Sequence, residues 1–211
     1  MRTTALIGLC MALCWAGCGA AEPPPASAPA ASPELPAPAP PAAGTTLPDA
    51  PLYDLAVGLE DQEGAAISLD LYRGHPVILS MFYASCRAAC PMLISRTRRI
   101  EDQLSPTARA ELRFLFISFD PERDTPERLR HAAVEQGLDL GRWTLARPAA
   151  PDVRLLSALL GVKFNRLANG DYNHSSVLVL VDRDGRPVAR MGSLADDSGP
   201  LLREAERLGG S

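Results

Sequence analysis

Apolar and polar positions fall into blocks along residues 52–211, and the period of each block predicts an element. Val77 to Tyr83 is an apolar run of strand length, and Arg113 to Phe119 is a second buried-type strand. Runs without alternation belong to strands buried on both faces. Between them, Pro91 to Leu104 carries helical spacing. Met92, Leu93, Ile100 and Leu104 form an inner face opposite Arg96, Arg98, Arg99 and Glu101, with Pro91 at the first helical position. Asp124-Thr125-Pro126-Glu127 opens another helix with a cap candidate, a proline and an acid in the first turn, and Gly137 stops it after Gln136. Asp152 to Leu160, stopped at Gly161, and Pro200 to Leu208 predict two more helices. Arg73-Gly74-His75-Pro76 is a turn. Leu52 to Leu59 and Ala65 to Leu69 read as a hairpin around Asp61-Gln62-Glu63-Gly64. Ser176 to Val181 and Arg186 to Met191 read as another around Asp182-Arg183-Asp184-Gly185.

The order is therefore hairpin, strand, helix, strand, two helices, hairpin, helix. It predicts an α/β thioredoxin-like fold with an N-terminal β-hairpin extension. The strand–helix–strand unit is parallel and right-handed, and the later hairpin extends the sheet antiparallel.

The first fifty residues follow a different pattern. Arg2 precedes an apolar stretch, Leu6 to Trp15, that is too short to cross a bilayer as a helix. Ala16-Gly17-Cys18 then resembles a bacterial lipobox, with Trp15 where an aliphatic residue is usual. The expected organisation is a signal peptide over 1–18 with Cys18 lipidated, a tether over 19–51, and one domain over 52–211. Pro and Ala dominate the tether, so it cannot bury enough apolar surface to offset its ordering entropy. The destination is the cell envelope, with a lipid anchor holding the domain on the periplasmic or extracytoplasmic side. The net charge of −4 and the lack of any basic block argue against a nucleic-acid partner.

Of five cysteines, Cys10, Cys14 and Cys18 lie in the signal. Cys86 and Cys90 remain as the thiols of the domain, placed between the first buried strand and its helix. That is the carboxyl edge of the sheet, where open α/β folds place ligands. The helix dipole there favours thiolate over thiol. Thiolate is both nucleophile and metal ligand, so position alone leaves disulfide chemistry and metal binding open. Three residues separate the pair, against two in redox thioredoxins, and Pro91 biases Cys90 away from helical geometry. The wider loop suits two sulfurs offered to one ion, although a disulfide stays within reach.

His174 stands just before the strand Val177 to Val181. If that strand runs antiparallel to Val77–Tyr83, His174 comes to the rim that holds Cys86 and Cys90. His75 falls at the opposite edge, and His131 is a surface residue. Two thiolates and an imidazole suit Cu(I), a soft ion of low coordination number. Structural zinc wants four ligands, and Asp120 would supply the fourth. A tetragonal Cu(II) state would recruit Asp120, Asp124 or water.

Three motifs in order, Cys86-Arg-Ala-Ala-Cys90-Pro91, Ser118-Phe119-Asp120-Pro121-Glu122-Arg123-Asp124-Thr125-Pro126-Glu127, and Asn173-His174-Ser175 followed by Asp182-Arg183-Asp184-Gly185, resemble the Sco/SenC family over most of residues 50–191. The resemblance implies a membrane-tethered thioredoxin-like domain that binds copper through Cys86, Cys90 and His174. It also implies a role in assembling the dinuclear copper centre of cytochrome c oxidase. The Asp120–Asp124 loop would lie over the site, although helix capping accounts for Asp124 and Thr125. The implied partner is the copper-bearing oxidase subunit or another periplasmic copper protein, and the implied action is binding and transfer rather than turnover. The alternative is a membrane-tethered thiol–disulfide oxidoreductase in which Cys86 attacks and Cys90 resolves. A thiol peroxidase fits less well, because Tyr83 stands where peroxiredoxin-type sites carry Thr.

Overall fold

The structure, a computed structural model, describes residues 51–210. The expected signal over 1–18, with Cys10, Cys14 and Cys18, and the expected tether up to residue 50 lie outside them. Among the described residues no helix is long and apolar enough to cross a membrane.

The two apolar runs become the sheet centre. β3 (Val77–Phe82) and β4 (Arg113–Ser118) pair in parallel, in register from Val77↔Arg113 to Phe82↔Ser118. Every residue of β3 is buried, as a strand covered on both faces requires. β5 (Trp143–Pro148) adds in parallel to β4. The N-terminal hairpin, β1 (Gly58–Asp61) and β2 (Ala66–Ser68), closes that side antiparallel. On the other side β8 (Leu178–Val181) runs antiparallel to β3, and β9 (Pro187–Met191) follows it. The seven strands lie in the order β2-β1-β5-β4-β3-β8-β9. The helices are α1 (Ala89–Gln103), α2 (Pro106–Glu111), α3 (Pro126–Glu135), α4 (Val153–Leu160) and α5 (Gly199–Gly209). A separate two-stranded hairpin, β6 (Phe164–Arg166) and β7 (Tyr172–His174), stands outside the sheet.

Several boundaries differ from expectation. The segment Leu52–Asp54 is a 3₁₀ turn, so the first strand begins only at Gly58. α1 starts at Ala89, which places Cys90 in its first turn and Pro91 third rather than first. A proline is tolerated there because the first four N–H groups of a helix have no partner within it. The bias of a pre-proline residue away from helix is overridden by the turn that the rest of the segment makes. Met92 faces solvent at 55 % exposure, and the inner face runs instead through Leu93, Ile94, Thr97 and Ile100. Glu101 joins that buried face because it has partners: Trp143 Nε1 donates to one oxygen at 2.9 Å and Arg142 pairs with the other at 2.9 Å. Thr125, not Asp124, caps α3, accepting from Arg128 N–H at 3.4 Å. α2, β5 and the β6–β7 hairpin were not apparent from periodicity.

Candidate metal centre

Three chain segments reach one rim of the sheet. β3 leads into the loop 83–88 and then α1. β4, parallel to β3, leads into the loop 119–125 and then α3. β8 starts at the same rim because it is antiparallel to β3, and Ser80 Oγ pins its approach by donating to Val177 O at 2.7 Å. β7 ends three residues before Val177, so His174 arrives beside Cys86 and Cys90.

The donor atoms of Cys86, Cys90 and His174 all lie within 4.8 Å of one another. Cys90 Sγ and His174 Nε2 are 3.7 Å apart. Metal–sulfur and metal–nitrogen bonds of about 2.3 and about 2.0 Å span about 3.7 Å at a trigonal angle. His174 Nδ1 lies 3.2 Å from Ser175 O, and Nε2 faces the sulfurs. The imidazole packs against Tyr83 and Phe119, with ring centroids 5.8 and 5.1 Å away. These rings fix its plane.

Both cysteines are free thiols, Cys86 half-buried and Cys90 buried. Ala88 offers α1 no side-chain cap, and Cys86 Sγ takes that part instead, accepting from Cys90 N–H at 3.3 Å. The hydrogen bond from the Cys90 thiol lowers the Cys86 pKa most; the His174 ring and the N–H groups of Cys90 and Ala88 add to it, and burial opposes it. The result is a thiol near 3. Cys90 moves the other way, because the Cys86 sulfur holds its proton and burial disfavours its charge. The pair therefore carries one negative charge. A pKa of about 3 leaves Cys86 ionised at every higher pH, with the thiolate lost only as pH falls through that value. Alkylation of Cys86 by iodoacetamide should therefore hold its rate from about pH 8 to about pH 5, where an ordinary thiol loses about tenfold per unit. Cys90 should stay unmodified. Peptide mapping after timed alkylation checks this, and a tenfold loss per unit at Cys86 would refute the thiolate assignment.

Asp120 and Asp124 lie in the β4–α3 loop but outside the three-donor cluster. Asp124 is fully buried; one oxygen accepts from Ser118 Oγ at 2.6 Å and Ala84 N–H at 2.9 Å. It staples the end of β4 to the loop that carries the thiols, and burial raises its pKa. Asp120 accepts from Tyr172 OH at 3.1 Å and pairs with Arg123. His75 lies at the opposite edge, its Nδ1 3.2 Å from Glu111 O. His131 is an exposed residue beside Glu135. Sequence reasoning did not find Tyr83, Phe119 or Tyr172 as neighbours of the site; the aromatic residues flanking the Cys and His motifs were the available signal.

Access differs on the two sides of the thiols. A cleft of about 710 Å³ separates the dithiol loop from the β6–β7 hairpin, and Cys86 also lines a second cleft of about 520 Å³ bordered by α3.

Residues 53–208 match SCO1/SenC. The chain belongs to the SCO1/SenC family. A protein of Stutzerimonas stutzeri named for copper binding is 33 % identical over 136 residues, which is 60 % of this chain and 63 % of that one. The chain thus matches less than two-thirds of that relative's length. Two solved structures share the fold. A SCO1/SenC family lipoprotein from Bacillus anthracis superposes with a TM-score of 0.66 at 19 % identity, covering 74 % of this chain and 95 % of the other. Arabidopsis thaliana ScoI, solved with copper bound, gives 0.60 at 18 % identity, covering 71 % and 90 %. The thioredoxin-like fold expected from the element order is the fold found.

Proposed function

We propose that this protein binds copper, as Cu(I) and/or Cu(II), through Cys86, Cys90 and His174, and delivers it during assembly of the dinuclear copper centre of cytochrome c oxidase. One observation carries the reading: two thiols and an imidazole from segments 84 positions apart converge, with Nε2 of the ring turned toward the sulfurs. A dithiol used only for redox chemistry has little need of that ring. Family membership and the copper-binding name of the Stutzerimonas stutzeri relative support the metal. The donor set is soft and small in number, which favours Cu(I). Half-buried Cys86 leaves a partner thiolate a route to the cargo, so transfer proceeds by ligand exchange. A lipid on Cys18 and the 19–51 tether would keep the domain at the membrane surface where an oxidase subunit is assembled.

The test is transfer. Copper-loaded protein mixed with a metal-free soluble domain of the oxidase copper subunit should generate the absorption of the dinuclear centre. Cells lacking the chain should lose oxidase activity and regain it with wild type, but not with Cys86→Ser/Cys90→Ser. Normal oxidase assembly without the chain would sink the assembly role.

A second reading is favoured by the low-pKa thiolate at Cys86. Its sulfur would attack a partner disulfide to form a mixed disulfide, releasing one partner thiolate. Cys90, deprotonated as it attacks, would displace the second partner thiolate and leave a Cys86–Cys90 disulfide. His174→Ala separates the two: it should spare disulfide reduction and impair copper handling.

A further inference from the structure

The third donor rides on a hairpin that no strand of the main sheet pairs with among the described residues. Aromatic contacts hold that hairpin against the rim: Phe119 stacks on Phe164 at 5.2 Å and meets Tyr172 edge-on at 5.1 Å. Such packing is strong but non-directional. Directional contacts come from two residues of the β4–α3 loop. Tyr172 OH donates to Asp120 Oδ1 at 3.1 Å. Arg123 donates through Nη2 to Gly170 O at 2.8 Å, and its guanidinium lies 5.7 Å from the Tyr172 ring centroid. Arg123 Nε donates to the other oxygen of Asp120, so the pair is tied together. Asp120 is only 3 % exposed. Gly170 turns the hairpin at φ +85°, a conformation open to glycine, and so presents its carbonyl to Arg123.

We propose that Asp120 and Arg123 form a latch that grips the β6–β7 hairpin at both its turn and Tyr172, and thereby sets how firmly His174 is held against the dithiol and how long a soft metal ion is retained. Asp120 is then a positioning residue, with its two oxygens committed to Tyr172 and Arg123. Arg123 suits the part because its planar fork serves Asp120 and Gly170 at once, which a lysine ammonium does on one point only. Opening the latch withdraws one ligand of three and leaves the cargo on two sulfurs, a state that a partner's thiolates compete for more easily. The retention claim rests on the copper reading; the mechanical claim does not.

Two measurements separate them. In metal-free protein, hydrogen exchange at Tyr172, Asn173 and His174 should speed up in Arg123→Ala and be restored only in part in Arg123→Lys, whose ammonium keeps one of the two contacts. In copper-loaded protein, Arg123→Ala should release Cu(I) to a competing chelator about 10–100-fold faster, the range seen when outer partners of a ligand are lost. A double-mutant cycle assigns the route: in a His174→Ala background, Arg123→Ala should add nothing further. Wild-type exchange at the hairpin in Arg123→Ala overturns the latch. An equal acceleration of release in the His174→Ala background overturns its action through His174. A wild type that holds no copper defeats the copper reading and the retention claim together, and exchange in the metal-free protein still decides the latch.

Discussion

Cys86→Ser/Cys90→Ser is expected to abolish tight copper binding, and His174→Ala to weaken it by more than the roughly 10–100-fold typical of losing an outer partner of a ligand. The ranking follows from the chemistry of the donors. Cys86 is already ionised, so it binds a cation without first losing a proton, whereas a serine hydroxyl does not ionise near neutrality. Cys90 must give up a proton that burial and Cys86 hold on it, and the ion itself supplies the driving force for that loss. With both sulfurs gone, only the imidazole is left, and a lone nitrogen does not retain Cu(I) against a competitor. With His174 gone, two sulfurs remain, and the site persists in weakened form. Serine is close in size to cysteine and accepts hydrogen bonds, so the acceptor for Cys90 N–H is kept at position 86. Loss of binding then reports ligand chemistry rather than unfolding. Anaerobic competition titration of Cu(I) against a chromophoric chelator measures all three proteins. Equal affinity in wild type and the double serine variant would end the metal assignment, and unchanged affinity in His174→Ala would remove the histidine from it.

How much of this site the sequence announces depends on how local each cause is. Cys86 and Cys90 declare themselves through spacing and through the apolar run before them, because β3 is buried on both faces and its pattern needs no partner to be read. His174 is legible one step further on, once the strand after it is paired antiparallel with β3. The loop 120–124 is expected over the site from the family resemblance, but the aromatic wall and the Asp120–Arg123 pairing are not legible, since the loop meets Tyr172 only after the crossover through α1 and α2 has set β4 beside β3. The missing elements have the same explanation. Trp143 to Pro148 mixes apolar and polar residues and ends in proline, and it is a strand because β1 and β4 supply ladders on either side. Phe164–Arg166 and Tyr172–His174 are three-residue strands that exist as each other's partners. Glu101 is charged by sequence, yet buried, because Trp143 and Arg142 arrive from 42 and 41 positions away.

Trp143→Ala should bring the largest loss of stability of any single change in the core. The indole is 1 % exposed, stacks on Phe114 with centroids 4.3 Å apart at an interplanar angle of 11°, and leans on Phe116 at 5.4 Å. Removing an aromatic side chain of this size from a packed interior costs about 3–5 kcal/mol. A second loss accompanies it, because the Nε1–H bond to Glu101 disappears. The carboxylate is not stranded outright: Arg142 still donates to its other oxygen. Trp143→Phe isolates that second part. It keeps most of the stacking area and removes the donor, so it should cost about 1–3 kcal/mol. For a domain of this size the alanine variant should melt lower by on the order of 10 °C, with the phenylalanine variant between it and wild type. β5 is separated from β3 by β4, so neither change touches the thiols. The folded fraction of each variant should therefore bind copper as wild type does, and saturating copper should raise the melting temperature of all three, because a ligand that binds only the folded state stabilises it by mass action. Chemical denaturation of the metal-free protein gives the energies, and titration of the folded variants gives the affinities. A penalty under about 1 kcal/mol for Trp143→Ala would mean that the core relaxes around the lost ring. A parallel loss of copper affinity would mean that the rim carrying Cys86, Cys90 and His174 depends on β5 more closely than the strand order indicates.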